Sequence, residues 1–420
     1  MRIAFFSPPF PSHLAAHEAL ADALGCRGHH CVMVHHPALQ TKLPLAPIGA
    51  DACSWTPAQV VEDSRRTGFP FGVLRTVANM AAMTQSLCSE APAILERLNI
   101  EGIVTDQAES AGALVAEHGG LPFVSVAAAL PLNREPAVPL PVLDWSYDPS
   151  EKGLKRNRGG AMIANWLTGR LDRTIAREAE RLGCAPKASQ ADCLSPLAEI
   201  SQIVPGLDFP RAALPAHFHY VGSLRATRVA APATLPPLDP AKPFVFCSLG
   251  TLQGHRVEIF RRVAQACRAL GAQLLVAHCG ALSDEQAATI DADWVVGRVD
   301  QEEAVRRAEC VVSHAGLNTV LDCLGAGTPM LNLPLAFDQP ATGARLKRLG
   351  IGEVLKPGAN SEAITASLGR LLFEEPARRR ARLLQNEFLA SGGVEEAARI
   401  VEQALQTRRP VLQAQPRVAA

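Results

Sequence analysis

The sequence lacks an excess of either charge: lysine plus arginine number 41 and aspartate plus glutamate number 41, so the net charge is zero. Overall charge therefore does not draw the chain to nucleic acid, and no nucleic-acid partner is expected. Long apolar runs are also missing. None approaches the roughly 18–20 residues that cross a bilayer. The opening Met1-Arg-Ile-Ala-Phe-Phe-Ser-Pro-Pro is too short an apolar stretch for a secretory signal and reads as a buried first strand. The cysteines are 11, an odd number, and no two stand at C-x-x-C spacing. Zinc ribbons and disulfide frameworks are thus not expected, and reduced thiols in the cytoplasm are. The P-loop, H-E-x-x-H and G-x-G-x-x-G patterns are absent, as is any fixed-period repeat. What is present is ordinary for a globular protein, with 48% hydrophobic and 20% charged residues over 420 positions. At about 150 residues per domain that length predicts two to three domains.

The chain opens as strand, turn, helix, strand. Ile3 to Ser7 is apolar and ends at Pro8-Pro9, Leu14 to Leu24 has helical spacing, and Cys31 to Val34 is the next strand. That βαβ opening predicts a parallel sheet. Ile103 to Thr105, ending at Asp106, and Phe123 to Val126 continue it around a small-residue helix from about Ser110 to Glu117. Residues 130–160, rich in proline, read as a long irregular segment. Prolines 232, 236, 237, 240 and 243 make 229–243 a stiff linker. The βα alternation then restarts, with strands at 244–248, 273–277, 294–296 and 310–313 and a last one at 330–333. Helices are predicted at 256–270, 317–324, 361–373, 376–389 and 394–406. The organisation expected is a first domain over 1–228, the linker over 229–243, a second domain over 244–385, helices over 386–406 and a frayed tail over 407–420.

Ligands of open α/β sheets bind beyond the carboxyl ends of strands, and four such ends carry chemistry here. His13 follows the first strand. Imidazole titrates near neutrality, so it can take the proton of an attacking alcohol, whose own pKa is far too high. Asp106 ends another strand of the same half and can orient and stabilise the resulting imidazolium. In the second half, Ser248-Leu-Gly250-Thr251 and Ser313-His314-Ala-Gly316-Leu-Asn318-Thr319 each follow a strand. Gly316 opens a helix whose first N–H groups are unpaired, a ready phosphate site. Phe337-Asp338-Gln339, after another strand, suits sugar hydroxyls. The paired histidines 29–30 and 35–36 read as structural, and His17 as a helix-face residue. Residues 68–90 line either an apolar groove or a core, and Trp145, Tyr147 and Trp166 are further candidates for the acceptor side.

The stretch RVDQ from Arg298, followed by SHAGLNTVLDCLGAGTPMLNLPLAFDQ, resembles the donor-binding signature of the family 1 UDP-glycosyltransferases. The likeness runs through the whole chain, including the early P-x-x-S-H turn and S-L-G-T after the linker. Within the family, Pro8-Pro9-Phe10, the segment from Pro131 through Tyr147 and Leu335-Ala-Phe-Asp-Gln-Pro resemble the bacterial zeaxanthin glucosyltransferases. The resemblance implies two facing Rossmann-like domains, the GT-B arrangement. It implies that the first domain binds the acceptor, the second the nucleotide sugar, and that the helices over 386–406 return to the first domain. It also implies an inverting transfer of glucose from UDP-glucose to a lipophilic alcohol, zeaxanthin first and a macrolide or flavonoid otherwise, with no cofactor and no metal. A silent nucleotide-sugar-binding protein is the alternative of another class. His13 would be the general base and Asp106 its partner. Ser248, Gly250, Thr251, His314, Gly316, Asn318 and Thr319 would surround the diphosphate. Asp322 would hold the ribose, Asp338 and Gln339 the hexose, and Arg298, Val299 and Gln301 would border the uracil. Asp300 stands where the family has proline, and Arg298 where it has the base-stacking aromatic. A carotenoid diol comes from a bilayer, so peripheral, apolar contact with the membrane is an expectation.

Overall fold

The computed structural model describes residues 1–65, 71–225 and 235–413. The first parallel sheet is built from β1 (Arg2–Phe6), β2 (His30–His35), β3 (Leu45–Pro47), β4 (Gly102–Asp106), β5 (Phe123–Ala127), β6 (Glu199–Ser201) and β7 (Phe218–Tyr220), in the order β3-β2-β1-β4-β5-β6-β7. The second, also parallel, takes β8 (Phe244–Ser248), β9 (Gln273–Ala277), β10 (Trp294–Val296), β11 (Cys310–Ser313), β12 (Met330–Asn332) and β13 (Gly352–Val354), in the order β10-β9-β8-β11-β12-β13. Crossover helices cover both faces of each sheet, which is why the strands read as unbroken apolar runs. In the first half these are α1 (Pro11–Cys26), α2 (Pro57–Arg65), α3 (Phe71–Arg97), α4 (Ala111–His118) and α5 (Glu151–Leu182). In the second they are α6 (Gly250–Gln253), α7 (Val257–Ala269), α8 (Asp284–Ala287), α9 (Gln301–Arg307), α10 (Leu317–Ala326), α11 (Gln339–Leu349) and α12 (Ser361–Phe373). The helices α13 (Glu375–Leu389) and α14 (Gly393–Thr407) close the fold.

Four differences from the sequence reading have identifiable physical causes. The irregular segment ends at Pro149, not near 160. Ser150 caps α5 by accepting from Gly153 N at 3.3 Å, and the first half of that helix is hidden in the sequence by Gly153, Gly159 and Gly160. The strand at Met330 is not the last, because β13 pairs beyond it. The break expected at 386 falls inside α13, whose Gln385 Nε2 donates to Gly325 O of α10 at 2.7 Å while Glu387 Oε1 accepts from Gly206 N of the first half at 2.8 Å; α14 then packs on α1. Of the expected frayed tail, residues 414–420 lie outside the described residues, and 407–413 do not fray. Val411 N donates to Leu197 O at 2.8 Å, Val411 O accepts from His219, and Gln413 N donates to Ala216 O at 2.9 Å. Of the linker, residues 229–234 lie outside the described residues, and 235–243 run without regular structure apart from a turn at 240–242.

The two halves share a floor. Leu130, Ile203, Val204 and Leu207 of the first half are buried in one cluster with Phe246, Val320 and Leu346 of the second. Beside it lies a buried ion network. Arg345 of α11 donates to Asp208 Oδ1 from Nε at 3.0 Å and Nη2 at 2.8 Å, while Arg211 Nε (2.9 Å) and Tyr220 Oη (3.0 Å) donate to Oδ2. Arg345 is 1% exposed, and its guanidinium lies 4.2 Å from the Phe209 ring centroid. Burial pushes the Asp208 carboxyl up, but the charges of Arg345 and Arg211 outweigh it and hold the group below its ordinary value. Burial also lowers Arg345 against the pull of Asp208, but the guanidinium stays charged.

Candidate active site

Register brings the first pair together. β1 and β4 are neighbours, with Phe6 opposite Thr105, so the turn after one and the last residue of the other meet although 93 positions separate His13 from Asp106. Pro11 starts α1 at a position where a missing N–H costs nothing, and His13 stands in the first turn. Its Nδ1 lies 2.7 Å from Asp106 Oδ2. A carboxylate only accepts, so Nδ1 carries the proton and Nε2 keeps its lone pair. Asp106 is 1% exposed, and its Oδ1 accepts from Ala108 N at 2.8 Å. Burial alone would lower His13, but the charge and hydrogen bond of Asp106, with help from Asp338, raise it above its ordinary value. For Asp106, burial is outweighed in turn by His13, and the carboxyl is held down. His17 does lie on the buried helix face: Nδ1 donates to His13 O at 2.9 Å and sits 3.8 Å from Asp106, and burial lowers its pKa.

Across the cleft, β8 and β11 are paired with Ser248 opposite Ser313, and their two turns converge on His314. Gly316 is not left-handed. It caps α10 in extended conformation (φ −64°), and the left-handed residue is Ala315 (φ 61°), held by its N–H donating to Ser313 Oγ at 3.0 Å. The glycine is needed for space. A Cβ there would stand 2.4 Å from His314 Nε2, and one on Gly250, which is left-handed at φ 68°, would stand 2.7 Å from His314 Cε1. The imidazole is thus clamped between two bare backbones. Burial drives its pKa down to about 4, so it is neutral at working pH. Its Nδ1 is buried with no partner among the described residues. An orphaned polar atom at a strand end, beside the N-terminus of the ten-residue α10, is a place for a bound polar group. Gly316→Ala is expected to displace His314 and lower kcat/KM on the order of 10²-fold, with weaker nucleotide binding by calorimetry. An unchanged affinity would contradict this clamp. Ser248 is buried, its Oγ accepting from Gly250 N at 3.4 Å, whereas Thr251 is exposed on α6.

Phe337 is bulky and left-handed (φ 55°), a strained state that a functional turn can hold. Gln339 braces the turn: its Oε1 accepts from Leu335 N and Ala336 N, both at 2.8 Å, so the side-chain amide NH₂ is the end left for another group. Asp338 is pushed up by burial, partly offset by the charge of His13 and the Leu130 backbone. The aspartate and His13 therefore sense each other from opposite halves. Phe10 and Phe337 meet beside them with centroids 6.1 Å apart. Asn318 bridges the same gap, accepting from Gln202 Nε2 at 3.3 Å and donating to Ser12 O at 3.5 Å.

The base side departs most from expectation. Asp300, in the family's proline position, caps α9 by accepting from Glu303 N at 3.2 Å. Arg298 is exposed and Val299 half-buried. Asp322, to which the resemblance gives the ribose, already has both oxygens engaged: Arg225 Nη1 at 2.9 Å on Oδ1 and Gln301 Nε2 at 2.7 Å on Oδ2. Thr319 is buried next to Gln301, at 3.5 Å.

Arg225, Gln202, Asp208 and Glu109 escaped the sequence reading. Each acts across large separations with no local motif. Glu109, fully buried near Asp106, accepts at one oxygen from Thr84 Oγ1 and Ala111 N, and burial raises it to about 7. The paired histidines are structural. His29 contacts the Met1 amine and Glu402, and His35 and His36 pack on Trp55. Among the described residues no cluster of histidine, cysteine or carboxylate could hold a metal. Trp145 and Tyr147 build the loop rather than a groove: Arg156 stacks over Trp145, which fills the space above Gly160, and Tyr147 packs on Phe209. Val77 and Met83 are core, Trp166 is exposed, and Phe69 lies outside the described residues.

Two facing parallel α/β domains with such a cleft define the GT-B class of glycosyltransferases. The fold overlays the glycotransferase of kitacinnamycin with a TM-score of 0.77 over 96% of this chain and 99% of that one, at 19% identity. The UDP-glucoronosyl and UDP-glucosyl transferase family model matches residues 56–372, and the chain belongs to this family of enzymes. It is 41% identical over 97% of both chains to a zeaxanthin glucosyltransferase of Pantoea ananas, and 40% identical over 96% of its length, and 97% of the relative's, to one of Pseudescherichia vulneris.

Proposed function

We propose that the protein transfers glucose from UDP-glucose to the ring hydroxyls of zeaxanthin, with inversion at the anomeric carbon. The observation that carries the chemistry is His13, tied at 2.7 Å to Asp106 with Nε2 left free, and with Asp338 close enough across the cleft for each charge to act on the other's titration. The acceptor oxygen attacks the anomeric carbon opposite the bond to phosphate. Its proton passes to His13 Nε2, and the bonding pair leaves with UDP. Asp106 balances the imidazolium that forms. Gly250, Thr251, His314 and the Gly316–Thr319 turn receive the diphosphate, whose growing charge faces the N-terminus of α10. Asp338 and the Gln339 amide bind glucose hydroxyls. Asp322 takes the ribose by exchanging Arg225 for its hydroxyls, and Arg298, Val299 and Gln301 border the uracil.

The choice of zeaxanthin is supported by two relatives of that printed activity, each matched over at least 96% of this chain. The test is incubation with UDP-glucose and zeaxanthin in detergent micelles, followed by mass analysis. A carotenoid heavier by one or two hexoses is expected. Hydrolysis of the donor without a glycosylated carotenoid would keep the transferase chemistry and overturn the acceptor. No nucleotide binding would overturn the donor and point to Arg298 and Asp300.

A further inference from the structure

The helices α3 and α5 are much longer than the strands they connect. At about 1.5 Å per residue their 27 and 32 residues reach roughly 40 and 48 Å, against about 17 Å for a five-residue strand. Each joins two parallel strands, so each runs against the strand direction and begins at the carboxyl edge, the edge that holds His13 and Asp106. The second half of α5 is anchored by buried Leu171, Ile175, Ala179 and Leu182. Its first twenty residues bury only Gly153 and Asn157, so this part overhangs the active-site edge.

The overhang carries an unusual face. Met162, Ile163 and Trp166 are 74%, 59% and 73% exposed, and at i, i+1 and i+4 they form one patch. Continuing the same helical spacing, exposed Lys155 and Arg158 precede the patch, and exposed Arg170 and Arg173 follow it. From 152 to 173 there are six lysines and arginines and one acidic residue, Asp172, in a chain whose net charge is zero. Beside α5, the first turn of α3 exposes Phe71 (75%) and Leu74 (38%). Apolar side chains including tryptophan between two cationic flanks match a bilayer interface with anionic headgroups. A second copy is a poor occupant, because a two-fold contact would set the same cations against each other.

We propose that this face of α5, with the start of α3, seats the protein on an anionic bilayer. Met162, Ile163 and Trp166 enter the headgroup boundary, and Lys155, Arg158, Arg170 and Arg173 lie over lipid phosphates. The carboxyl edge bearing His13 then faces the lipid, which rests on the proposed function in that a bilayer-dissolved alcohol is the acceptor. The test is sedimentation of the full chain with phosphatidylcholine vesicles, with and without phosphatidylglycerol. Binding is expected only with the anionic lipid and should fall with salt. Replacing Met162, Ile163 and Trp166 together by serine, or Arg170 and Arg173 by glutamine, should each weaken partition by roughly tenfold or more, with UDP affinity unchanged as the sign of intact folding. No sedimentation of the parent chain, or equal sedimentation of the serine variant, overturns the proposal. So does a change of oligomeric state in that variant without vesicle binding by the parent. The two readings fail separately. Glycosylation in micelles without vesicle binding removes the surface alone, whereas vesicle binding without glycosylation in micelles removes the acceptor alone.

Discussion

His13→Ala is expected to lower kcat by about 10²–10⁴ while UDP binds as before, because the imidazole acts on the acceptor proton and not on the nucleotide. Steady-state rates and calorimetry on the same preparation check both halves. Equal losses in rate and UDP affinity would instead make His13 part of the donor site. The pH profile carries a second signature. The base works only when neutral, and Asp106 raises its pKa, so the rate should climb with pH through a value raised from the ordinary one of histidine. Asp106→Asn removes the raising charge and leaves burial, which lowers the pKa. The acid limb should then move to lower pH while the plateau falls, since an amide no longer balances the imidazolium. A variant with an unmoved limb would show that Asp106 does not set the titration.

Asp208→Ala is expected to cost about 3–5 kcal/mol of stability. It leaves Arg345 without its carboxylate in a buried seam that also joins the two halves, while Arg211 keeps Asn133 O and Glu135. Arg345→Met combined with Asp208→Leu should cost less than Asp208→Ala, because charge and counter-charge leave together. Urea midpoints compare the variants. The carboxyl is depressed in the folded state, so its contribution is complete above the usual carboxylate range and is lost as pH falls through the depressed value. The deficit of Asp208→Ala should therefore shrink in acid. An unfolding free energy within about 0.5 kcal/mol of the parent's at neutral pH would reduce the network to an ordinary surface pair.

Most of the fold was legible because a strand buried on both faces is a short apolar run with punctuation at its ends. The strands at 273–277, 294–296 and 310–313 and the helix at 361–373 have the limits their residues announce. The start of α5 was not legible, since its glycines break the helical pattern and a turn of loop aromatics, not an apolar stripe, covers it. The three-residue β13 was missed for the opposite reason: too short to carry a period, it exists only by pairing with β12. The end of the chain read as loose because nothing local fixes Val411, which is held by Leu197 and His219 from two hundred residues away.

The sequence alone determined the parallel α/β architecture, the strand ends that bear His13, Asp106, the Gly316 turn and Asp338, and the family they resemble, because each is a local pattern of burial, glycine and polar residues. Tertiary structure alone decided what those residues do to one another. It set the 2.7 Å contact that fixes the His13 tautomer, the clamp that makes Gly250 and Gly316 a matter of space around His314, and the engagement of Asp322 by Arg225. It also built the Asp208–Arg345 seam and turned the α5 stripe outward. The physical reason is range. Propensity and periodicity act over a few residues, whereas hydrogen bonds, desolvation and ion pairing act between groups that only the packed sheets bring within a few ångströms.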